Sequence, residues 1–195
     1  GEGELDDYAL ASRLSYFLWS SMPDAELFEL AEQGKLVDPA ILTQQVERML
    51  DDAKSERLIR NFLRVWLELD NIGKMPPSRE FVSFYRDNLE AAMRKETNLF
   101  FQHVLQENLH PIELLSAEYS FINRELGEHY GISGLEGNEF RKVSLSGGER
   151  GGLLGHGSFL TASATGVDST PVVRGISVMN KRLAYTPPPT PAWLG

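Results

Sequence analysis

The feature that most constrains the fold is a series of helical apolar patterns that fills the first two thirds of the chain. In these patterns apolar residues recur every three or four positions, as on the buried face of a helix. Ser21 and Asp24 stand at capping-box spacing before one pattern, and Asp38 with Pro39 precedes the next. The patterns occupy residues 5–19, 21–34, 38–52, 55–70, 78–107, 111–116 and 117–131. They predict a mainly α, helical bundle-like domain over residues 1–134.

The pattern changes after Gly131, where glycine becomes frequent and helical periodicity stops. Residues 140–145, FRKVSL, alternate and predict a short strand or an extended arm, and residues 153–162 predict a helix of small residues. Pro171 predicts the first turn of a last helix, and the prolines that follow it exclude a helix near the end. The sequence therefore predicts a Gly-rich, partly extended segment at 135–186, with two helices packed on the first domain, and a Pro-rich exit linker at 187–195.

Charge and composition exclude several classes of function. The chain has 28 acidic and 19 basic residues, a net charge of -9, which argues against nucleic acid as a partner. Its longest apolar clusters fall well short of the roughly 20 residues that span a bilayer. Residues 138–182 carry six basic and three acidic groups, so this segment is +3 and the remainder is -12. The basic segment faces either the acidic helices of its own chain or an anionic partner, such as an acidic polysaccharide.

The candidate site residues lie mostly in the stretch RGGLLGHGSFLTASATGVDSTPVVRG, residues 150–175. One interpretation is a hydrolase site with Ser158 as nucleophile, His156 as base and Asp168 as orienting acid, but the spacing matches no local hydrolase motif. The other is that the glycines allow close packing and that Asp168 lies in the cap of the next helix. We favour packing, with Arg150 and Arg174 as contacts to a ligand or partner. No catalytic residue is assigned, and the sequence leaves open whether this chain alone is an enzyme, while favouring a non-catalytic role.

Two further features bear on cofactors and partners. Glu107 and His110 have the E-x-x-H spacing of di-metal bundles, but the second motif that such a centre needs is missing. The sequence therefore predicts no metal site. The chain has no cysteine, so it cannot attach haem through thioether bonds. Trp193 follows the prolines, where it has no local core, and we expect it to dock on this domain or on a neighbouring one.

Several stretches together resemble two adjacent domain families of unknown function found in large exported planctomycete-type cytochrome c proteins. The stretches are LASRLSYFLWSSMPDAELFELA, RKETNLFFQHVLQENLHPIELLSAEYSFINRELGEHYGI and RGGLLGHGSFLTASATGVDSTPVVRGISVMNKRLAYTPPPTP. The first family extends to about Gly134 and the second begins at about Glu139. The matching positions are Phe121, Asn123, His129, Tyr130, Gly131, Arg150, Gly152, Leu153, Ser169, Pro171, Val172, Arg174 and Gly175.

The resemblance implies a haem-free, non-catalytic accessory or scaffold domain of an exported cytochrome c-type electron-transfer protein. Haem c is then expected in flanking domains of the same polypeptide, which are the implied partners. The implied location is periplasmic or at the cell surface, with the targeting signal outside this chain. The alternative function is an enzyme or ligand-binding domain that uses the basic segment 150–175.

Overall fold

The computed structural model describes residues 6–74, 85, 87–145, 150–164 and 171–182. Within these ranges the chain forms nine α-helices and one two-stranded sheet, so the prediction of a mainly α fold is confirmed. The elements are α1 Asp7–Trp19, α2 Ala25–Glu32, α3 Pro39–Asp51, α4 Glu56–Trp66, α5 Asp87–Gln106, α6 Glu113–Ser116, β1 Tyr119–Ile122, α7 Arg124–Tyr130, β2 Arg141–Ser144, α8 Gly157–Ala162 and α9 Pro171–Arg182. Short 3-10 turns lie at Ala53–Ser55, Leu69–Asn71 and Leu153–Gly155.

The chain divides into two compact units. One contains Gly1–Phe62 and Leu105–Asn108, and the other contains Leu63–Val104 and Leu109–Gly195. These boundaries do not coincide with those predicted at residues 134 and 186. The division into an all-helical domain, a Gly-rich segment and a linker stays a prediction, and the linker lies outside the described residues.

The first unit is built on local helix-start signals. Asp24 begins α2 by accepting a hydrogen bond from the backbone N–H of Leu27 at 3.0 Å, and Asp38 begins α3 by accepting one from Ala40 at 2.8 Å. The indole N–H of Trp19 donates to the carbonyl of Met49 at 2.9 Å. The buried core of this unit is formed by Ala11, Leu18, Trp19, Leu27, Ala31, Leu36 and Met49.

The second unit contains the sheet, which corrects one prediction. Residues 117–131 were expected to form one helix, but Tyr119–Ile122 form strand β1, and α7 begins only after Asn123. β1 pairs antiparallel with β2, with Ser120 opposite Val143 and Ile122 opposite Arg141. Of the two alternatives predicted for residues 140–145, a short strand or an extended arm, the structure has the strand. The helix stop predicted at Gly131 is also present, with φ 74°.

The segment predicted as one helix over residues 153–162 is divided in two. A 3-10 turn ends at Gly155, His156 is extended, and α8 starts at Gly157. The last helix begins at Pro171, as predicted from its fixed φ angle.

A buried polar cluster in the second unit

The structure separates the predicted site residues into three groups. It brings His156 and Ser158 into one buried polar cluster, with Arg150 beside it. Arg174 makes its contacts elsewhere, and Asp168 and Trp193 lie outside the described residues. A role of these residues in binding a ligand or partner stays a prediction.

The cluster unites side chains from four parts of the second unit. It consists of Glu96 and Thr97 from α5, Ser120 from β1, Tyr130 from α7, and His156 and Ser158 at the start of α8. Five of these side chains are at most 2% exposed, and Tyr130 is partly buried. These polar groups are therefore shielded from solvent, where each depends on a protein partner for its hydrogen bonds.

Glu96 is the carboxylate of the cluster. Its Oε1 accepts a hydrogen bond from the Ser120 hydroxyl at 2.7 Å, and its Oε2 accepts one from the Tyr130 hydroxyl at 2.6 Å. Burial raises the pKa of Glu96 to about 7, against the opposing effects of these two hydrogen bonds and the positive charge of Arg150. Both the charged and the neutral form are therefore populated near neutral pH.

Tyr130 connects Glu96 to the start of α8. Its hydroxyl donates to Glu96 and accepts the backbone N–H of Gly157 at 2.8 Å. Burial and the neighbouring carboxylate raise the pKa of Tyr130 above its ordinary value, so the phenol keeps its proton. The guanidinium of Arg150 lies over the tyrosine ring, 4.0 Å from its centroid.

His156 lies between two hydroxyl groups. Its Nδ1 is 3.0 Å from the Thr97 hydroxyl and its Nε2 is 3.3 Å from the Ser120 hydroxyl. The ring packs edge-on against Phe100, with 5.0 Å between centroids. Burial, followed by the charge of Arg150, lowers the pKa of His156 to about 3. The imidazole is thus neutral at neutral pH and carries one ring proton.

Ser158 is separated from the imidazole by Thr97. Its hydroxyl is 2.5 Å from the Thr97 hydroxyl, which in turn contacts His156. Ser158 is fully buried, so its hydroxyl is closed to a substrate in this conformation. The carboxylate nearest to the imidazole along the chain of hydrogen bonds is Glu96, through Ser120. The hydrolase interpretation therefore has no support in the arrangement of its described members.

Four members of the cluster were missed as site residues by the sequence analysis: Glu96, Thr97, Ser120 and Tyr130. One signal for Glu96 was available, because Met93, Glu96 and Phe100 follow one another at helical spacing on the buried face of α5. A carboxylate on an apolar face requires a partner. Tyr130 was noted only as a position of family resemblance.

The two arginines of the basic segment are held by internal contacts. Arg150 donates from Nη1 to the carbonyl of Gly155 at 3.0 Å. Arg174 donates from Nε to the Ser163 hydroxyl at 3.1 Å and from Nη2 to the carbonyl of Leu160 at 3.4 Å. These bonds fix both guanidinium groups against their own segment.

An apolar cavity of about 400 Å³ lies in the second unit. It is lined by Trp66, Leu67, Pro111, Leu114, Leu115, Leu153, Leu154 and Val178. Leu153 and Leu154 belong to the Gly-rich segment that also supplies His156. The chemistry of this lining suits a neutral, apolar molecule.

The described residues contain no group of three or more acidic or histidine side chains placed to hold a metal ion. His110 of the E-x-x-H pair accepts the backbone N–H of Ile112 at its Nδ1, at 3.2 Å. None of the described helices has the length and apolar character needed to cross a bilayer.

Comparison with known proteins gives a family but no characterised relative. No curated protein and no solved structure matches the chain significantly. The family PSD4, described as a protein of unknown function (DUF1592), matches residues 5–132. The match includes four of the six cluster residues and ends before His156 and Ser158. The second family, expected from about Glu139, stays a prediction. Because the match covers about two thirds of the 195 residues, the chain belongs to the PSD4 family of proteins of unknown function (DUF1592).

Proposed function

We propose that this chain is a non-catalytic accessory domain of an exported, multidomain cytochrome c-type protein. It would hold neighbouring haem-bearing domains, or their substrate, in position for electron transfer. The family resemblance supports a place in an exported cytochrome c-type protein, and the buried polar cluster supports a non-catalytic role.

The proposal rests on one observation: the side chains that could act as acid, base or nucleophile are hydrogen-bonded to one another. Glu96, His156 and Ser158 are each at most 2% exposed, and their hydrogen bonds run to other members of the cluster. A catalytic group must reach its substrate within hydrogen-bond distance. Groups that are enclosed and mutually paired fix the packing of the elements that carry them.

The haem of the proposed protein would be bound by flanking domains. The sequence contains no cysteine, so thioether attachment of haem c within this chain is impossible. We expect the accessory role to consist of contacts with haem-bearing domains.

The direct test is an absorption spectrum and an intact mass of the full native protein that contains this chain, before and after dithionite. We expect the reduced spectrum of a c-type cytochrome and a mass that includes covalently bound haem. A colourless protein without the added mass would overturn the proposal.

A second test separates a structural from a catalytic role of the cluster. In the full protein, Ser158→Ala should lower the thermal midpoint and leave electron transfer unchanged. Ser116→Ala, on the exposed end of α6, is the matched control and should change neither property. Loss of turnover in Ser158→Ala at an unchanged thermal midpoint would show that the hydroxyl takes part in chemistry.

The cavity favours ligand binding as a second candidate function. Leu153 and Leu154 place the predicted segment 150–175 at an apolar cavity, while Arg150 and Arg174 are held by internal bonds. A neutral apolar ligand is thus better matched than an anionic one. The probe is Nile red, whose fluorescence should rise on binding and fall in a Leu154→Trp variant that fills the cavity. Binding of an acidic polysaccharide at low salt, lost in Arg174→Ala, would favour the anionic alternative.

A further inference from the structure

The six cluster residues form a continuous chain of hydrogen bonds whose direction is not fixed by the heavy atoms alone. From one end to the other, the chain passes through Ser158, Thr97, His156, Ser120 and Glu96. Tyr130 donates a hydrogen bond to the other carboxylate oxygen of Glu96. Each hydroxyl has one proton and the neutral imidazole has one, so counting donors constrains the directions in which the bonds of the chain can point.

With Glu96 ionised, the count gives a single direction. The carboxylate accepts from Ser120 at 2.7 Å, which uses the only proton of that hydroxyl. The Nε2 of His156 must then carry the ring proton and donate to Ser120. Its Nδ1 is left as an acceptor and receives the proton of Thr97, which accepts in turn from Ser158.

With Glu96 protonated, the count gives the opposite direction. The new proton is accommodated at Oε1, because the Tyr130 hydroxyl beside Oε2 already accepts from Gly157 and needs Glu96 as the acceptor for its own proton. Glu96 then donates to Ser120, which is free to donate to Nε2 of His156. The ring proton therefore lies on Nδ1 and is donated to Thr97. The Thr97 proton can then point to the carbonyl of Met93 at 3.3 Å or to Ser158.

We propose that the cluster is a two-state proton relay, in which the protonation of Glu96 selects the tautomer of His156 and thereby the orientation of the Thr97 hydroxyl. One proton is taken up from solvent in the change and the charge of Glu96 is neutralised. In the net change Glu96 gains this proton, the single ring proton of His156 moves from Nε2 to Nδ1, and Ser120, Thr97 and Ser158 each keep one hydroxyl proton, so the protons balance.

The charged and titratable groups around Glu96 set the conditions for this change. Tyr130 faces it from α7, Arg150 acts on it from the segment before α8, and His156 is linked to it through Ser120. Tyr130 keeps its proton and His156 remains neutral, since burial disfavours the charged form of each. Glu96 is therefore the member of the cluster that changes charge near neutral pH.

The test is the tautomer of His156, measured by long-range ¹H–¹⁵N correlation on the ¹⁵N-labelled chain from about pH 5 to about pH 9. The ring is assigned by its nuclear Overhauser contacts with Phe100. We expect a protonated Nε2 at the alkaline end and a protonated Nδ1 at the acidic end. One ring pattern throughout this range would overturn the proposal.

Two variants separate the relay from an independent titration of the histidine. In Glu96→Gln the amide N–H₂ donates permanently to Ser120, so His156 should keep its proton on Nδ1 at every pH. In Ser120→Ala the link is broken, and the tautomer should no longer follow the charge of Glu96. If His156 changes its ring pattern in Glu96→Gln at the same pH as in the wild type, Glu96 does not control it and the proposal fails.

Discussion

At the scale of single residues, burial of Glu96 makes the stability of the chain depend on pH. The pKa of this carboxyl is about 7 in the folded chain, against an ordinary value of 4.5 for a glutamate exposed to water. Between these values the folded state holds a proton that the unfolded state has lost, so the free energy of unfolding falls as the pH rises through this window. Above about pH 7 the decrease in the free energy of unfolding is complete, and it amounts to about 3 kcal/mol at 1.36 kcal/mol for each pKa unit.

Glu96→Gln removes this pH dependence, because an amide does not titrate. We expect the free energy of unfolding of the variant, relative to the wild type, to increase by about 3 kcal/mol from below pH 4.5 to above pH 7. Denaturant titrations at a series of pH values measure the difference. Glu107→Gln, at an exposed position, is the control for the loss of one carboxylate. Parallel curves for wild type and Glu96→Gln would contradict the expectation.

His156 contributes the opposite dependence on pH. Its pKa is about 3 in the folded chain, against an ordinary value of 6.5 for an exposed histidine, so only the unfolded state binds a proton between these values. Its contribution to the free energy of unfolding therefore increases as the pH rises from about 3 to 6.5. The Glu96 and His156 effects offset each other between pH 4.5 and 6.5. In Glu96→Gln the increase in the free energy of unfolding with pH that is due to His156 should become visible.

Gly152 shows why the Gly-rich segment requires glycine at one particular position. Its φ angle is 54°, and a Cβ added there would lie 2.5 Å from the backbone carbonyl oxygen of Leu115. We expect Gly152→Ala to lower the free energy of unfolding by at least about 2 kcal/mol, from backbone strain and the clash. Gly155→Ala is the matched control, because its Cβ would meet nothing closer than 3.5 Å and should change stability by less than about 0.5 kcal/mol. Chemical denaturation measures both, and equal effects would contradict the argument.

At the scale of elements, the two capping aspartates of the first unit differ in their hydrogen bonds. Asp38 caps α3, whereas Asp24 caps α2 and also accepts two hydrogen bonds from Arg48, at 2.8 and 3.2 Å. We expect Asp38→Ala to cost about 1 kcal/mol and Asp24→Ala about 2 kcal/mol. Asp24→Asn keeps the cap and loses the charge, so its cost should lie between zero and that of Asp24→Ala. Thermal and denaturant unfolding test this order, and an equal cost for Asp24→Ala and Asp38→Ala would contradict it.

These elements also show which structure can be predicted from sequence. Asp24 and Asp38 act on backbone groups two or three residues away, so a local pattern suffices to find the helix starts. β1 was missed because its partner strand lies about 20 residues later and supplies the pairing that local periodicity does not contain. The same reason applies to the cluster: His156 and Ser158 attracted notice, but Glu96 reaches His156 through a serine from a third element.

At the scale of the whole chain, the second unit extends beyond the residues that match the family. The family match ends at residue 132, but Leu135, Phe140 and Val143 pack against the buried residues Leu89 and Ile122 and their neighbours. The buried Thr97 of α5 likewise has His156 and Ser158 as hydrogen-bond partners. A chain that ends at residue 132 loses both contributions.

We therefore expect a fragment of residues 1–132 to lack the cooperative unfolding of the second unit. Removal of residues 133–195 exposes part of the apolar core and leaves Thr97 without two of its hydrogen-bond partners, each loss costing on the order of 1–3 kcal/mol. Circular dichroism during heating tests this against the full chain and against a chain ending at Arg182. The chain ending at Arg182 retains every contact named above and should unfold near the temperature of the full chain. If the 1–132 fragment unfolds cooperatively at that same temperature, the family match is itself a complete folding unit, and the cluster contributes nothing essential to it.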